Sequence, residues 1–133
     1  MALSIDGVLR QGVAAHQSGQ VQEAERLYRS ILVQEPKHAD ANHNLGVLAV
    51  SVGKPELSLP YFKTALESNP KPGQYWLSMI DTLITVGQLD DARTVLQQGR
   101  DIGLKGEKVD ELAKRLEVKE EPQAGSGSSG VPD

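Results

Sequence analysis

The 133-residue sequence contains no cysteine, few aromatic residues and no long apolar run. Without cysteine there is no disulfide, no thiolate metal site and no cysteine nucleophile. Aromatic residues make up 4% of the chain, and this favours packed helices over a β-sandwich or barrel. No apolar run approaches the roughly 18 residues of a membrane span, and the N-terminus lacks the features of a signal peptide. We therefore expect one all-α domain that does not insert into membranes and is cytoplasmic.

A strong basic excess is also missing, since the formal net charge is −4. Nucleic-acid-binding domains usually carry a basic patch and a high pI. We therefore expect a protein or peptide partner and no nucleic acid.

The sequence repeats itself with a period of 34 residues. A turn glycine, a small residue and a large apolar residue recur in phase three times. They are Gly19, Gly53 and Gly87; Ala24, Ser58 and Ala92; and Tyr28, Phe62 and Leu96. Repeats of this length indicate stacked helical hairpins, because one hairpin cannot bury its own apolar face.

Each repeat predicts two helices separated by the glycine turn. The predicted spans are about 5–18, 21–34, 39–52, 55–68, 73–86 and 89–102, followed by a seventh helix over 107–119. Ser4 is expected to cap the first helix, and Pro55 to occupy the first position of the fourth. The seventh helix has one apolar and one charged face, which is typical of a helix that caps a stack. Residues 120–133 are rich in Gly, Ser and Pro and are predicted to be a flexible tail or linker.

The repeats resemble the tetratricopeptide repeat (TPR) family, whose consensus places Trp-x-x-Leu-Gly-x-x-Tyr before a small residue, a large residue and a proline. The matching stretches are Val8-x-x-Gln11-Gly12-x-x-Ala15, Asn42-x-x-Leu45-Gly46-x-x-Ala49 and Trp76-x-x-Met79-Ile80-x-x-Leu83. Repeat three departs from the consensus at Ile80 and at Leu104. The resemblance implies an α–α superhelix of seven helices, a TPR solenoid. The domain then covers 1–119, with repeats at about 5–38, 39–72 and 73–106 and a capping helix at 107–119.

No motif indicates catalysis, a cofactor or a metal. The spacing from Gly46 to Gly53-Lys54 is too long for a phosphate-binding loop, and a proline follows the lysine. His38 and His43 are five residues apart, whereas two zinc ligands on one helix face are four apart. No nucleophile with an adjacent base can be identified. We therefore expect no enzymatic activity, no cofactor and no metal site.

The family resemblance also implies a concave groove, lined by the first helix of each repeat. On each first helix, the consensus positions (Val8, Gln11, Gly12 and Ala15 in repeat one) form the packing stripe, which contacts neighbouring helices. The stripe next to it on the helix surface is predicted to face the groove. The predicted peptide-binding residues are Leu9, Arg10, Val13, His16, His43, Asn44, Val47, Val50, Leu77, Ser78, Asp81 and Ile84. Six of them are aliphatic, and apolar surface on a concave wall often marks a partner site. The alternative is that the capping helix covers part of this wall.

The leading hypothesis is a non-catalytic protein–protein interaction module that holds a peptide or helix of a partner in its groove. Some family members grip the acidic C-termini of large chaperones with groove Lys, Arg and Asn residues, but here only Asn44 matches that pattern. Two alternatives stay open. The chain resembles the N-terminal TPR appendages of larger bacterial transferases that act on sugars or sulfate, or it is a self-assembly scaffold, although a monomer is favoured.

Overall fold

The computed structural model describes residues 3–125, with side chains as far as residue 117, and it places seven α-helices in this part of the chain. They are α1 (Ile5–Gln17), α2 (Val21–Gln34), α3 (Ala39–Ser51), α4 (Pro55–Ser68), α5 (Gly73–Thr85), α6 (Leu89–Asp101) and α7 (Glu107–Gly125). The first six agree with the predicted spans to within one residue. The seventh runs on to Gly125, so the first six residues of the predicted tail continue α7. The rest of that tail, 126–133, lies outside the described residues.

The helices follow the 34-residue period closely. The first helices of the repeats and α7 begin at residues 5, 39, 73 and 107, and the second helices begin at 21, 55 and 89. The turn glycines Gly19, Gly53 and Gly87 have φ angles of 82°, 81° and 85°. Since only glycine adopts this left-handed conformation without strain, these positions set where each hairpin turns.

Side chains at the helix starts support the predicted boundaries. Ser4 Oγ accepts a hydrogen bond from the Gly7 N–H at 3.0 Å, as an N-cap does. Pro55 begins α4. His38 caps α3 through Nδ1, which accepts from the Ala41 N–H at 3.1 Å.

In the first two hairpins, a glycine of the first helix contacts an aromatic ring of the second helix. A Cβ on Gly12 would lie 2.5 Å from Cε1 of Tyr28, and a Cβ on Gly46 would lie 2.3 Å from Cε1 of Phe62. Both distances are far inside van der Waals contact, so only glycine fits beneath these rings. In repeat three Ile80 replaces the glycine and Leu96 replaces the aromatic residue, and both belong to the same buried cluster. The departure from the consensus at Ile80 is therefore compensated by its partner across the hairpin.

The stack is curved. Among the described residues the backbones of α1 and α3, of α3 and α5, and of α5 and α7 approach one another closely, whereas those of α2 and α4, and of α4 and α6, lie farther apart. Because the first helices approach more closely than the second helices, the inner wall is built from α1, α3, α5 and α7.

At both ends of the stack, polar residues occupy repeat positions that hold apolar residues in the middle of the stack. At the N-terminal edge Gln11, Ser18 and Glu23 occupy the repeat positions of Leu45, Val52 and Leu57. In α7, Asp110, Lys114 and Glu117 occupy those of Trp76, Ile80 and Leu83. The sequence assigned Gln11 to the packing stripe, but its side chain is exposed, because no helix packs on that edge within the described part of the chain. The charged outer face of α7 caps the other end.

Candidate peptide-binding surface

The twelve residues predicted to form the groove all lie on α1, α3 and α5, the helices of the inner wall. Ten of them keep part of their side chain accessible, and Arg10, Val50 and Asp81 are exposed. The other two, His43 and Ile84, are buried. Two of the twelve predicted side chains are therefore not accessible to a ligand in this structure.

Ile84 is only 1% exposed, so it is not available on the wall. It belongs to a buried cluster with Val109, Leu112 and Leu116 of α7. The capping helix therefore covers the C-terminal part of the wall, as the alternative interpretation of the sequence allowed.

His43 is 7% exposed and joins repeats two and three. Its ring lies between those of Phe62 and Tyr75, with ring centroids 5.4 Å and 4.8 Å away. Its Nε2 lies 2.8 Å from Ser78 Oγ. Burial lowers the pKa of His43, and interactions with the Asn44 side chain and the charge of Asp40 only partly offset that effect. The His43 ring of α3 is thus uncharged at neutral pH and packs against α5.

Two further polar contacts connect neighbouring first helices. The Tyr75 hydroxyl donates a hydrogen bond to the Asp40 carboxylate, which joins α5 to α3. Burial and this hydrogen bond both raise the pKa of Tyr75. Arg115 of α7 forms an ion pair with Asp81 of α5. Together with the contact between His43 and Ser78, these pairs connect α3 to α5 and α5 to α7.

Sequence reasoning missed Tyr75 and Arg115 as part of this surface. The signal that could have found Arg115 is the period itself, because Arg115 follows Asp81 by 34 residues. Extending the repeat into the capping helix would have placed both side chains at the same height on adjacent helices. No comparable signal identifies Tyr75, since its bond to Asp40 depends on how α3 and α5 pack.

An aliphatic patch occupies the accessible part of the wall. Leu9, Val13 and Leu77 are partly buried against the two core clusters, so they present only part of their surface. Val47 is also partly accessible, and Val50 is 40% exposed. These side chains make the middle of the concave surface apolar.

Asn44 supplies a polar group beside this patch. It is partly accessible, and its side chain interacts with the Tyr28 hydroxyl as well as with His43. Burial raises the pKa of Tyr28, and the hydrogen bond from Asn44 offsets part of that increase. An amide held in this way can donate to and accept from the backbone of a bound segment.

A cavity of about 270 Å³ lies between α5 and α7 on the same wall. Its lining combines Leu77 and Leu112 with charged groups of both signs. The charged residues are Asp81, Lys108, Glu111 and Arg115. The C-terminal part of the wall is thus more polar than its centre.

Across the part of the chain that the structure describes, no three His, Asp or Glu side chains are grouped as a metal would require. In the same part, none of the helices combines the length and apolarity needed to cross a membrane.

The sequence also matches a known family. A model of the tetratricopeptide repeat matches residues 9–70 and again residues 43–103. The chain belongs to the tetratricopeptide repeat family. The three hairpins described above are its TPR repeats, and α7 stands where the first helix of a fourth repeat would begin. No individually curated protein matches the chain.

Solved TPR structures have a similar fold. The Sgt2 TPR domain from Aspergillus fumigatus matches with a TM-score of 0.81 at 16% identity, over 97% of this chain and 87% of that one. The Yersinia enterocolitica type III secretion chaperone SycD, in complex with a peptide of the translocator YopD, gives 0.70 at 16% identity, over 89% and 90%. Pseudomonas aeruginosa pilF gives 0.74 at 20% identity, over 91% of this chain and 55% of that one. At these identities the similarity shows the fold alone.

Proposed function

We propose that this TPR chain is a non-catalytic protein-interaction module whose concave wall binds a peptide or helix of a partner protein. The observation that carries the proposal is the accessible aliphatic patch at the centre of the wall, where Val47 and Val50 flank the polar Asn44. Apolar surface on a concave face, with few polar groups placed beside it, is the usual composition of a binding site. The complex of SycD with a YopD peptide gives a precedent for peptide binding on this fold.

The wall favours a partner segment with apolar anchor residues. Val47, Val50, Val13 and Leu9 offer no charge, so an aliphatic or aromatic anchor would bury its surface there. Asn44 would hydrogen-bond the backbone of an extended segment or a polar side chain of a helix. The charged residues near α7 have both signs, so they would influence the orientation of the bound segment more than its affinity.

The close pair of Ser78 and His43 does not indicate a hydrolase. A serine nucleophile needs a histidine base, a group that orients the histidine, and N–H donors for the developing oxyanion. Asp40 accepts from Tyr75 rather than orienting His43, and Ser78 lies inside α5, where backbone N–H groups are engaged in helical bonds. The pair is better explained as a contact that holds two repeats together.

Self-assembly by end-to-end stacking is the less favoured alternative. Gln11, Ser18 and Glu23 at one edge and the charged face of α7 at the other would have to be desolvated in such an interface. The role of an appendage to a larger transferase is compatible with a binding wall. The full reading frame of the gene tests this appendage alternative, because a stop codon soon after Asp133 would eliminate it.

The test is affinity capture from the native lysate with immobilised wild-type and variant chains, each checked first for helicity by circular dichroism. Val47→Glu and Val50→Glu each place a carboxylate on the wall, and desolvating a charged group against an apolar ligand costs more than the roughly 2–7 kcal/mol of an unpaired amide or hydroxyl. Asn44→Ala removes both hydrogen-bonding groups at a cost of about 1–3 kcal/mol. Val33→Glu is the matched control, because Val33 is 84% exposed on α2, outside the inner wall.

We expect a partner that is captured by the wild type and by Val33→Glu but lost with the Val47 and Val50 variants. Equal capture by all of these folded variants would show that the concave wall is not the binding site. The appendage and scaffold alternatives would then take its place.

A further inference from the structure

A second cavity, of about 530 Å³, lies at the edge of the stack, away from the inner wall. It forms where the turn between α4 and α5 meets the turn between α6 and α7. Trp76, Ile102 and Leu104 provide its apolar lining, and Lys71 and Lys105 stand beside them. None of its lining residues is acidic.

Part of the apolar lining is open to solvent. Ile102 is 59% exposed, although most large aliphatic side chains of the described chain are covered. The Trp76 ring is fixed in place, because its Nε1–H donates to the Pro70 carbonyl at 2.7 Å. Because this hydrogen bond holds the ring, a change in tryptophan emission would report a ligand in the cavity and not a rotation of the ring.

The two charged side chains that line this cavity, Lys71 and Lys105, are both cationic. Both lysines are exposed, and neither forms an ion pair with any residue that the structure describes. The cavity also includes Gly73, the first residue of α5. This helix start has no side-chain cap and no acidic residue in its first turn, whereas α1 has Ser4 and Asp6 and α3 has His38 and Asp40. The N–H groups of a helix start add to a positive potential.

The cavity is specific to repeat three. At the preceding turn, Asn42, Ser68 and Lys37 occupy the repeat positions of Trp76, Ile102 and Lys71. A lysine therefore recurs at both turns, but only the later turn adds a tryptophan and an exposed isoleucine. Of these two turns, only the later one combines an exposed large apolar side chain with a lining whose charged groups are all cationic.

We propose that this edge cavity docks a segment of a partner protein in which an acidic residue adjoins an aliphatic or aromatic residue. The apolar side chain covers Ile102 and the edge of Trp76, and the carboxylate lies between Lys71 and Lys105. Charge complementarity determines the choice of occupant, because every charged group lining the cavity is cationic. The proposal is independent of the concave wall and holds whether or not that wall binds a ligand.

Trp76 provides the measurement, since it is the one tryptophan in the sequence. The probe is a synthetic peptide with the sequence Glu-Asp-Leu-Leu, acetylated and amidated so that only side chains carry charge. Its comparators are Gln-Asn-Leu-Leu and Lys-Lys-Leu-Leu with the same end groups. We expect a saturable change in tryptophan emission with the acidic peptide that weakens with added salt, and at least about fivefold weaker binding of the comparators.

The variants separate this cavity from other sites. Lys71→Gln combined with Lys105→Gln should weaken binding about fivefold, as expected for two exposed ion pairs. Ile102→Ser, which introduces the residue found at this position in repeat two, should also weaken it. Lys37→Gln is the matched control, because it alters the corresponding lysine of the preceding turn and should leave affinity unchanged. All four positions are exposed, so these variants should fold.

Three results would overturn the proposal. One is an affinity that is the same for the acidic and amide peptides, or the same in the double lysine variant. Another is loss of the signal in Val47→Glu, which would place the peptide on the concave wall. The third is an emission that depends on protein concentration without peptide, which would mean that a second copy fills the cavity.

Discussion

His43 on α3 and Ser78 on α5 lie 2.8 Å apart through Nε2 and Oγ, and this contact joins two successive repeats at the inner wall. Phe62 and Tyr75 enclose the same imidazole from two sides. The group that looks most like a chemical site on this surface is therefore part of the packing between repeats. It also makes the stability of that packing dependent on protonation.

Stability should fall as pH drops below the ordinary histidine pKa of 6.5. Burial lowers the pKa of His43, so below 6.5 the unfolded chain binds a proton that the folded chain resists. The contribution of the neutral ring is complete above 6.5 and is lost as pH falls through the lowered folded-state pKa. Asp40, which lies nearby, reduces the loss without removing it. Urea unfolding at pH 7.5 and 5.5 measures the difference.

His43→Gln keeps a hydrogen-bonding side chain that does not titrate. It should be less stable than the wild type at pH 7.5 and should show a smaller fall in stability between the two pH values. If the wild type and His43→Gln lose the same free energy of unfolding on acidification, the pH dependence comes from other groups.

Gly46→Ala should destabilise the chain by about 1–3 kcal/mol, the usual cost of overpacking. The added Cβ would lie 2.3 Å from Cε1 of a fully buried Phe62. Adding Phe62→Leu should restore part of the loss, because Ile80 and Leu96 show that this hairpin contact tolerates a larger first residue with a smaller second one. Thermal or urea unfolding of the single and double variants measures the coupling.

Gly7→Ala is the control for helix propensity. A Cβ there would meet its nearest neighbour, Ser4 Oγ, at 3.4 Å, which is ordinary contact. Alanine should be neutral or stabilise α1 by up to about 1 kcal/mol. Equal effects of alanine at Gly7 and Gly46 would show that the Phe62 ring does not limit the space at Gly46.

Two equivalent hydrogen bonds anchor the turns between repeats. Asn42 Nδ2–H donates to the Pro36 carbonyl at 3.1 Å, and Trp76 Nε1–H donates to the Pro70 carbonyl at 2.7 Å. Asn42→Ala and Trp76→Phe each remove a donor and should each cost about 1–3 kcal/mol, because a partly buried carbonyl loses its partner. Unfolding curves measure both variants, and a cost below the measurement error in both would contradict an anchoring role.

Leu112→Ala should loosen the capping helix at a cost of about 2–5 kcal/mol. Leu112 is 7% exposed and packs in the cluster that contains Ile84. Lys114→Ala, on the exposed side of α7, should change stability little. Urea unfolding and binding of a hydrophobic dye measure the two variants. Unchanged stability and no extra dye binding in Leu112→Ala would mean that α7 does not protect this end of the stack.

The sequence by itself determined the repeat, the boundaries of the first six helices to within one residue, and the family. These follow from local rules: glycine at a left-handed turn, Pro55 at a helix start, a serine cap, and apolar residues spaced for one helical face. Such signals act within a few residues, so a reader of the chain can locate them without knowing what lies opposite. The period then repeats the glycine turn and the apolar spacing three times.

Only the tertiary structure decided which wall residues a ligand can reach. His43 is buried because Phe62 of its own repeat and Tyr75 of the next enclose it, and Ile84 is buried because α7 lies over it. Gln11 is exposed for the opposite reason, since none of the described helices packs on its edge. Spacing along the chain assigns a residue to a face of a helix, but accessibility depends on the neighbour that covers that face, which in a solenoid comes from another repeat.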